Sequence, residues 1–420
     1  LWMLNFLLFT ISFHIILVIL EGSVPGDIFT DLYRSTIIPD PLFADNHLHL
    51  KWVSAINWSY IYSFPIDQTI LKVFFNFLDT VSSVFLNGVP VLNTSNQFVE
   101  YFVNIDGLLR DSNTVEVRFT SPVRYAKEKS AHGHRVPPTC PPKTYHGECH
   151  PNFIRKAQYS FSWDWGPAIP TVGLWKPVQI IAFDDYIFDD FTWTTERTQG
   201  EVRIFTEKKG TETSLRISIP ELDVKETQRA RVEGGDDAHL MHFKVRIPRD
   251  KVAVWWPNGE GEQKLYDITV EAASTDILEV THKVGFRHVK LVQDFVDRRQ
   301  RSKGRHFYVR VNDRPLFLKG SNWIPISMFL SRNNDERMKF LLDSAVETLC
   351  SLWYSWCTRS GTTCLNKASN VCMIFAHQTQ LQRIYLVSKV EVQLECLFQS
   401  KKLFDNLSIA VTSNGRPKVF

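Results

Sequence analysis

A dominant charge of one sign is missing from this sequence. Its 48 Lys and Arg face 45 Asp and Glu, a net charge of +3, which is too small an excess to hold a nucleic-acid backbone. The densest basic run, Arg298 to Arg305, lies between strand-like segments and reads as a solvated loop. Metal-ligand spacing is missing too. The five cysteines from Cys350 to Cys396 include no Cys-x-x-Cys pair and no His at zinc-ligand spacing, so no metal site is expected. Long amphipathic helical periods are absent until about residue 333. The apolar opening run (LWMLNFLLFTISFHIILVIL) has no basic residues before it and no small-residue cleavage site after it. Residues 1–21 therefore read as a segment that is signal-like or anchor-like without being a clean example of either.

Short β-strands fill the space those absences leave. A length of 420 residues, 44% apolar and 22% charged, describes a globular chain of two to four domains. Lys51–Pro65 and Ile70–Asp79 are rich in β-branched and aromatic residues. Val84–Val91 carries Asn87-Gly88 between apolar runs, a strong hairpin signal. Gln97–Ile105, Val115–Thr120 and Val178–Phe183 continue the pattern, which predicts an antiparallel sandwich over 22–184. A second set of strands over 185–291 fits an immunoglobulin-like sandwich in length and strand number.

Region 292–348 then changes character. Phe307–Val311 and Pro315–Lys319 flank the turn Asn312-Asp313-Arg314, followed by Gly320-Ser321-Asn322-Trp323-Ile324-Pro325. An amphipathic helix comes next, with Asn333 and Glu336 as a capping box and Met338, Leu341, Leu342, Ala345 and Val346 on one face. A strand, a loop and a helix in that order are how a (β/α) barrel begins. After Thr348 the texture is lost. Residues 349–420 hold five of the cysteines and no sustained apolar period, so they are expected to lack a core. From Phe307 onward the chain has less than half of the about 250 residues that a complete barrel takes.

Cys140 and Cys149 stand close together in a Pro-rich loop and read as a local disulfide of a secretory-route protein. Asn57-Trp58-Ser59, Asn93-Thr94-Ser95 and Asn406-Leu407-Ser408 are N-glycosylation acceptors on that route.

The chemistry concentrates in Phe161-Ser162-Trp163-Asp164-Trp165-Gly166-Pro167. Flat pyranose faces stack on indole, and a carboxylate accepts hydrogen bonds from sugar hydroxyls. The alternative is that Trp163 and Trp165 are core residues at a strand end while Asp164 binds backbone N–H groups. A second concentration, Trp255-Trp256-Pro257-Asn258-Gly259, has no explanation in local propensity.

Taken in series, these stretches resemble the β-mannosidases of glycoside hydrolase family two, most closely the lysosomal animal type. The resemblance covers about residues 22–348. It is carried by Gly22–Gly26, Lys51-Trp52-Val53, Pro137–Pro142 through Gly147-Glu148-Cys149-His150, Phe161–Pro167, Gly173-Leu174-Trp175-Lys176, Trp255–Tyr266 and Phe317–Pro325. The resemblance implies a mainly β, multidomain fold: a jelly-roll β-sandwich, an immunoglobulin-like β-sandwich and the start of a truncated (β/α)8 TIM barrel, with 349–420 as an aberrant tail. It also implies retaining hydrolysis of terminal non-reducing β-D-mannose in glycoprotein glycan catabolism, in the lysosome and with no metal or organic cofactor. Asp164 and Trp165 from the first sandwich, with Asn322 and Trp323 at the end of the first barrel strand, are the implied substrate-binding residues. The partner is a β-mannoside glycan, with no nucleic acid or stable membrane partner expected.

Retaining hydrolysis needs two carboxylates about 5–5.5 Å apart. The family carries them as glutamates, one after Gly-Asn-Asn and one in Ser-Glu-Phe-Gly, and residues 349–420 contain neither context. Glu391 and Glu395 read as a solvated helix face. The expectation is a β-mannosidase incompletely represented, with no catalytic residue in place. A non-catalytic carbohydrate-binding β-sandwich protein is the competing reading, and a membrane-tethered adhesion protein resting on residues 1–20 is a third.

Overall fold

A computed structural model describes residues 7–10, 19–65, most of 72–344, and 371–376. It divides into two compact units. One comprises Leu1–Asp184 with Pro325–Asp335, the other Asp185–Ile324 with Glu336–Phe420.

The first unit is a β-sandwich. One antiparallel sheet runs in the order Ile19–Glu21, Leu7–Thr10, Trp58–Pro65, Ser112–Phe119, Ser82–Leu86, Val89–Thr94. The facing layer pairs Lys72–Asn76 with Glu100–Asn104 on one side and Val178–Ile181 on the other, and Leu78–Asp79 with Gly173–Leu174. Period-two alternation explains the packing: Val115, Val117 and Phe119 turn inward from one strand while Glu116 and Arg118 pair on its other face. Tyr60 and Phe119 meet edge to face at 5.8 Å in the core. Each such side chain contributes about 1.5–3 kcal/mol when fully buried. The predicted hairpin is present, with Leu86 opposite Val89 and both Asn87 (φ 52°) and Gly88 (φ 83°) in the left-handed region that a type I′ turn demands.

Two local expectations differ from the structure. Lys51–Ala55 is a short helix, and only Trp58–Pro65 is strand; the Trp58 indole N–H donates to the Val53 carbonyl at 2.8 Å and so fastens the last helical turn to the strand start. Pro122–His132 is an 11-residue helix. Its signals were local and legible: Ser121 caps it by accepting from the Arg124 N–H, Pro122 occupies the first turn, and Gly133 follows the end. Within the apolar opening segment, Leu7–Thr10 pairs antiparallel with both Trp58–Pro65 and Ile19–Glu21. Among the described residues no helix is long and apolar enough to cross a membrane.

The second unit carries the immunoglobulin-like sandwich. Tyr186–Thr194, Gln199–Thr206 and His239–Lys244 form one sheet; Val224–Val232, Thr211–Ile219, Tyr266–Ala272 and Leu278–Val284 form the other. Three strands facing four is the constant-type count, and Val202, Ile204, Leu215, Ile217, Ile268 and Val270 are buried between them. Here the adjacent tryptophans find a packing explanation. The Trp255 N–H donates to Phe286 O (2.8 Å), and the Trp255 carbonyl accepts from Asn312 Nδ2 (3.0 Å). Arg314 lies over the Trp256 ring at 4.5 Å and pairs with Glu260 at 2.9 Å. The motif ties the sandwich to the Tyr308–Val311 and Arg314–Leu316 hairpin that follows it.

Leu318–Trp323 is next, and it pairs in parallel with Val371–Ala376. A helix over 335–344 lies between them in sequence. One parallel strand pair is therefore present where the sequence after Thr348 offered no βα texture; the strand is the most continuous apolar run of that stretch. The remainder of 349–420, including Glu391, Glu395 and Asn406, lies outside the described residues.

The first unit also buries two carboxylates at the helix Ile28–Arg34. Asp27 caps it, accepting from Thr30 N–H (2.9 Å), Thr30 Oγ1 (2.7 Å) and Ser331 Oγ (2.7 Å). Asp31 accepts from Ser23 N–H (3.1 Å), Ser23 Oγ (2.8 Å) and Tyr60 OH (3.1 Å). Burial outweighs these bonds and pushes Asp31 up to about 6, and it raises Asp27 as well. An acid raised on folding binds its proton more tightly in the folded chain. The stabilisation is thus full below the unfolded value near 3.9 and is lost as pH rises through 6. Acidifying from pH 7 to pH 5 should stabilise this unit by about 1 kcal/mol through Asp31 alone. Asp31→Asn should flatten that slope, which thermal melts at the two pH values will measure; equal slopes in both proteins would contradict the assignment.

Candidate carbohydrate-binding site

The aromatic-acid motif forms a tight hairpin in the first unit. Phe161–Trp163 pairs with Gly166–Ala168, with Phe161 opposite Ala168 and Trp163 opposite Gly166, so Asp164 and Trp165 are the two residues of the tip. Phe161 is fully buried against Ala126 and Ile154 and anchors the first strand. Beyond it the environment changes within two residues. Trp163 is 41% exposed, Asp164 is exposed and Trp165 is half-buried.

This profile goes against the core-and-cap reading for Trp163 and Asp164. A core tryptophan would be buried like Trp58, yet Trp163 is not. Among the described residues the Asp164 carboxylate receives no hydrogen bond, so it does not cap local backbone. Trp165 rests on the buried ring of Tyr159, with centroids 5.4 Å apart at 37°. Burial raises the Tyr159 hydroxyl further above its ordinary range, and the nearby Asp79 charge adds to it, so the phenol under Trp165 stays neutral. One indole braced from beneath, one exposed indole and a solvent-facing acceptor make a surface on which a sugar ring can stack and hydrogen-bond.

The tip is held under backbone strain. Ser162 has φ 100°, a conformation that L side chains rarely adopt, and its buried hydroxyl has no hydrogen-bond partner. The Cys140–Cys149 loop enforces it. Glu148 N–H donates to the Phe161 carbonyl at 2.9 Å, and a Cβ on Gly147 would run into Ser162 Oγ and stand 2.7 Å from Phe161 O. The loop is closed by the disulfide, by His150 N–H donating to Thr139 O (2.7 Å), and by Lys51 paired with Glu148 (3.0 Å). On the other strand, a Cβ at Gly166 would stand 3.3 Å from Met328 Sδ, so glycine permits the closest approach of that segment.

Asn322 and Trp323 belong to the second unit. They are the last two residues of Leu318–Trp323, at the C-terminal end of the parallel pair, where active-site residues gather in (β/α) barrels. Their side chains lie outside the described residues. Asn57 and Asn93 are both exposed, and each also works locally: Asn57 Oδ1 accepts from Ser121 N–H (2.9 Å), and Asn93 Oδ1 accepts from Ser83 Oγ (2.7 Å). Tyr159 escaped the sequence reading, and Gly147 entered it only within a stretch that carries the family resemblance. Their signal was proximity to the motif and to the second cysteine, which gives no direction in space.

Two family models match the chain: one described as the galactose-binding domain-like part of glycosyl hydrolase 2 over residues 10–176, the other as glycosyl hydrolases family 2 over 186–287. The chain is 42% identical over 349 residues to a protein named probable beta-mannosidase from Caenorhabditis elegans, covering 78% of this chain and 38% of that one. It is 36% identical over 360 residues to the beta-mannosidase of Capra hircus, covering 80% and 40%. Among solved structures, the β-D-mannosidase of Dictyoglomus thermophilum superposes with a TM-score of 0.69 at 25% identity, over 89% of this chain and 46% of that one. The chain spans about two fifths of the length of these animal relatives.

Two substitutions test the strained tip. Ser162→Gly removes both the left-handed penalty and an unpartnered buried hydroxyl, and is expected to stabilise by about 1 kcal/mol. Gly147→Ala forces a methyl into Ser162 and is expected to cost about 1–3 kcal/mol. Chemical denaturation reads both, and a neutral Gly147→Ala would show that the loop does not press on the hairpin.

Proposed function

The chain belongs to glycoside hydrolase family two, and from that premise we propose that it recognises terminal non-reducing β-D-mannose, the substrate class of the β-mannosidases it resembles. The exposed tip carries the reading: Asp164 offers an acceptor without a competing donor, between Trp163 and a braced Trp165. Asp164 accepts hydrogen bonds from ring hydroxyls and Trp165 stacks on the C–H face of the sugar. Asn322 and Trp323 are the further substrate-binding residues that the family pattern implies.

The reaction in this family is retaining hydrolysis. One carboxylate attacks the anomeric carbon while the other protonates the leaving oxygen and then activates water. These 420 residues contain neither glutamate context. The function proposed is therefore that of a β-mannosidase-type glycoside hydrolase whose 420 residues as written lack the catalytic pair, with a non-catalytic glycan-binding protein as the second reading; the two converge on the same ligand. A secretory, lysosomal setting is part of the proposal. It is supported by the Cys140–Cys149 disulfide, by exposed acceptors at Asn57 and Asn93, and by a first unit whose buried acids favour low pH.

Titration with methyl β-D-mannoside, followed by calorimetry, is expected to give saturable binding that methyl β-D-glucoside does not match. Asp164→Ala or Trp165→Ala should weaken it about tenfold, the worth of a charged hydrogen bond or an aromatic platform. An aryl β-mannoside should not be hydrolysed. Equal affinity for the two sugars would overturn the specificity, and turnover of the aryl mannoside would overturn the non-catalytic assignment.

A further inference from the structure

Beneath the hairpin lies a fully buried ionic cluster that sugar recognition, as described so far, does not use. Asp79 is its centre. The Lys156 ammonium donates to both Asp79 oxygens, and the side chains of both residues are almost wholly out of water. Thr171 Oγ1 donates to Asp79 Oδ2 at 2.6 Å and accepts from Lys156 Nζ at 3.1 Å. Burial in apolar surroundings lowers Lys156 from its ordinary value, opposed by the Asp79 charge.

The placement of the partners is informative. Lys156 precedes the hairpin Phe161–Ala168 and Thr171 follows it, so one carboxylate grips the chain on the way in and on the way out. Both grips transmit to the tip through short, bonded segments. After Lys156, Ala157 N–H donates to Gln97 Oε1 (2.8 Å), and Tyr159, two residues on, is the ring beneath Trp165. Before Thr171, Ile169 N–H donates to Ser160 O (2.8 Å) and closes the hairpin base. A core ion pair adds little net stability over an apolar filling of the same volume. Its distinctive contribution is direction, because charge-assisted bonds fix donors and acceptors in angle as well as distance.

We propose that Asp79 is a positioning residue for sugar recognition: by holding Lys156 and Thr171 together it fixes the base of the hairpin and hence the angle at which Asp164 and Trp165 meet the sugar. This rests on the mannose-binding reading above, and Asp79 itself touches no ligand. Cutting one strand of the grip leaves the tip intact in sequence and misaligned in space.

Thr171→Val is the discriminating variant in the full 420-residue chain, because valine keeps the shape and the Lys156–Asp79 pair and removes only the hydroxyl. Asp79→Asn strands the lysine and is at risk of not folding. The protein is labelled with 5-fluorotryptophan, and the Trp165 resonance is assigned by its loss in Trp165→Phe. Thr171→Val is expected to shift that resonance and weaken methyl β-D-mannoside binding about tenfold, with Thr171→Ser restoring both. An unmoved Trp165 resonance overturns the proposal. So does unchanged mannoside affinity in the presence of a moved resonance, since the cluster would then serve stability alone. If the resonance moves and the unmutated chain binds no mannoside, the positioning of the tip stands and the sugar assignment falls.

Discussion

A carboxylate and an ammonium, Asp79 and Lys156, are sealed together inside the first sandwich. Neither tolerates loss of the other, since an uncompensated buried charge costs about 3–5 kcal/mol. That constraint reaches outward. Asp79 ends a strand of the facing layer, Lys156 lies in an irregular stretch, and Thr171 precedes Gly173–Leu174, which pairs back on Leu78–Asp79. Three segments without long regular pairing of their own are thereby fixed to one point, and the hairpin between two of them inherits its position.

The same unit combines comfortable and uncomfortable geometry. Its core consists of inward-facing aliphatic and aromatic side chains in ordinary strands. Its tip contains a serine at φ 100°, a glycine that admits no methyl, and an indole left 41% exposed. Strain of this kind persists only where the surroundings over-determine it. The disulfide-closed loop on one side and the Met328 segment on the other supply that surrounding. The tip exposes aromatic surface that a folding chain would otherwise bury.

Buried acids near the helix Ile28–Arg34 give the unit a preference for low pH that its hydrogen bonds reduce without cancelling. Asp27 also accepts from Ser331, and Arg332 Nε donates to Thr30 Oγ1 at 3.0 Å while Phe329 fills the core beside Phe29. The segment Pro325–Asp335, which follows Asn322-Trp323 in the chain, is thus an integral part of the sandwich rather than a loose linker.

Much of the architecture was legible because it rests on short-range rules. Alternation announced the strands, Asn87-Gly88 announced its turn, and the ordered series from Gly22 to Pro325 announced the family. The absence of both glutamate contexts is likewise a property of sequence alone. Local signals at Ser121-Pro122 and Gly133 were sufficient for a helix and were masked by the β texture around them. Other features had no local signal at all. That Lys156 is buried, that its partner is 77 residues away, and that Thr171 meets the same carboxylate across 92 residues depend on which strands become neighbours. So do the ring under Trp165 and the φ of Ser162, which Gly147 and Glu148 impose from a separate loop. The sequence by itself determined the fold class, the aromatic-acid motif and the absence of both glutamate contexts, since each is written in contiguous residues. Only the tertiary structure decided how that motif is aimed, because aim is set by buried charge and close packing between segments that are neighbours in space alone.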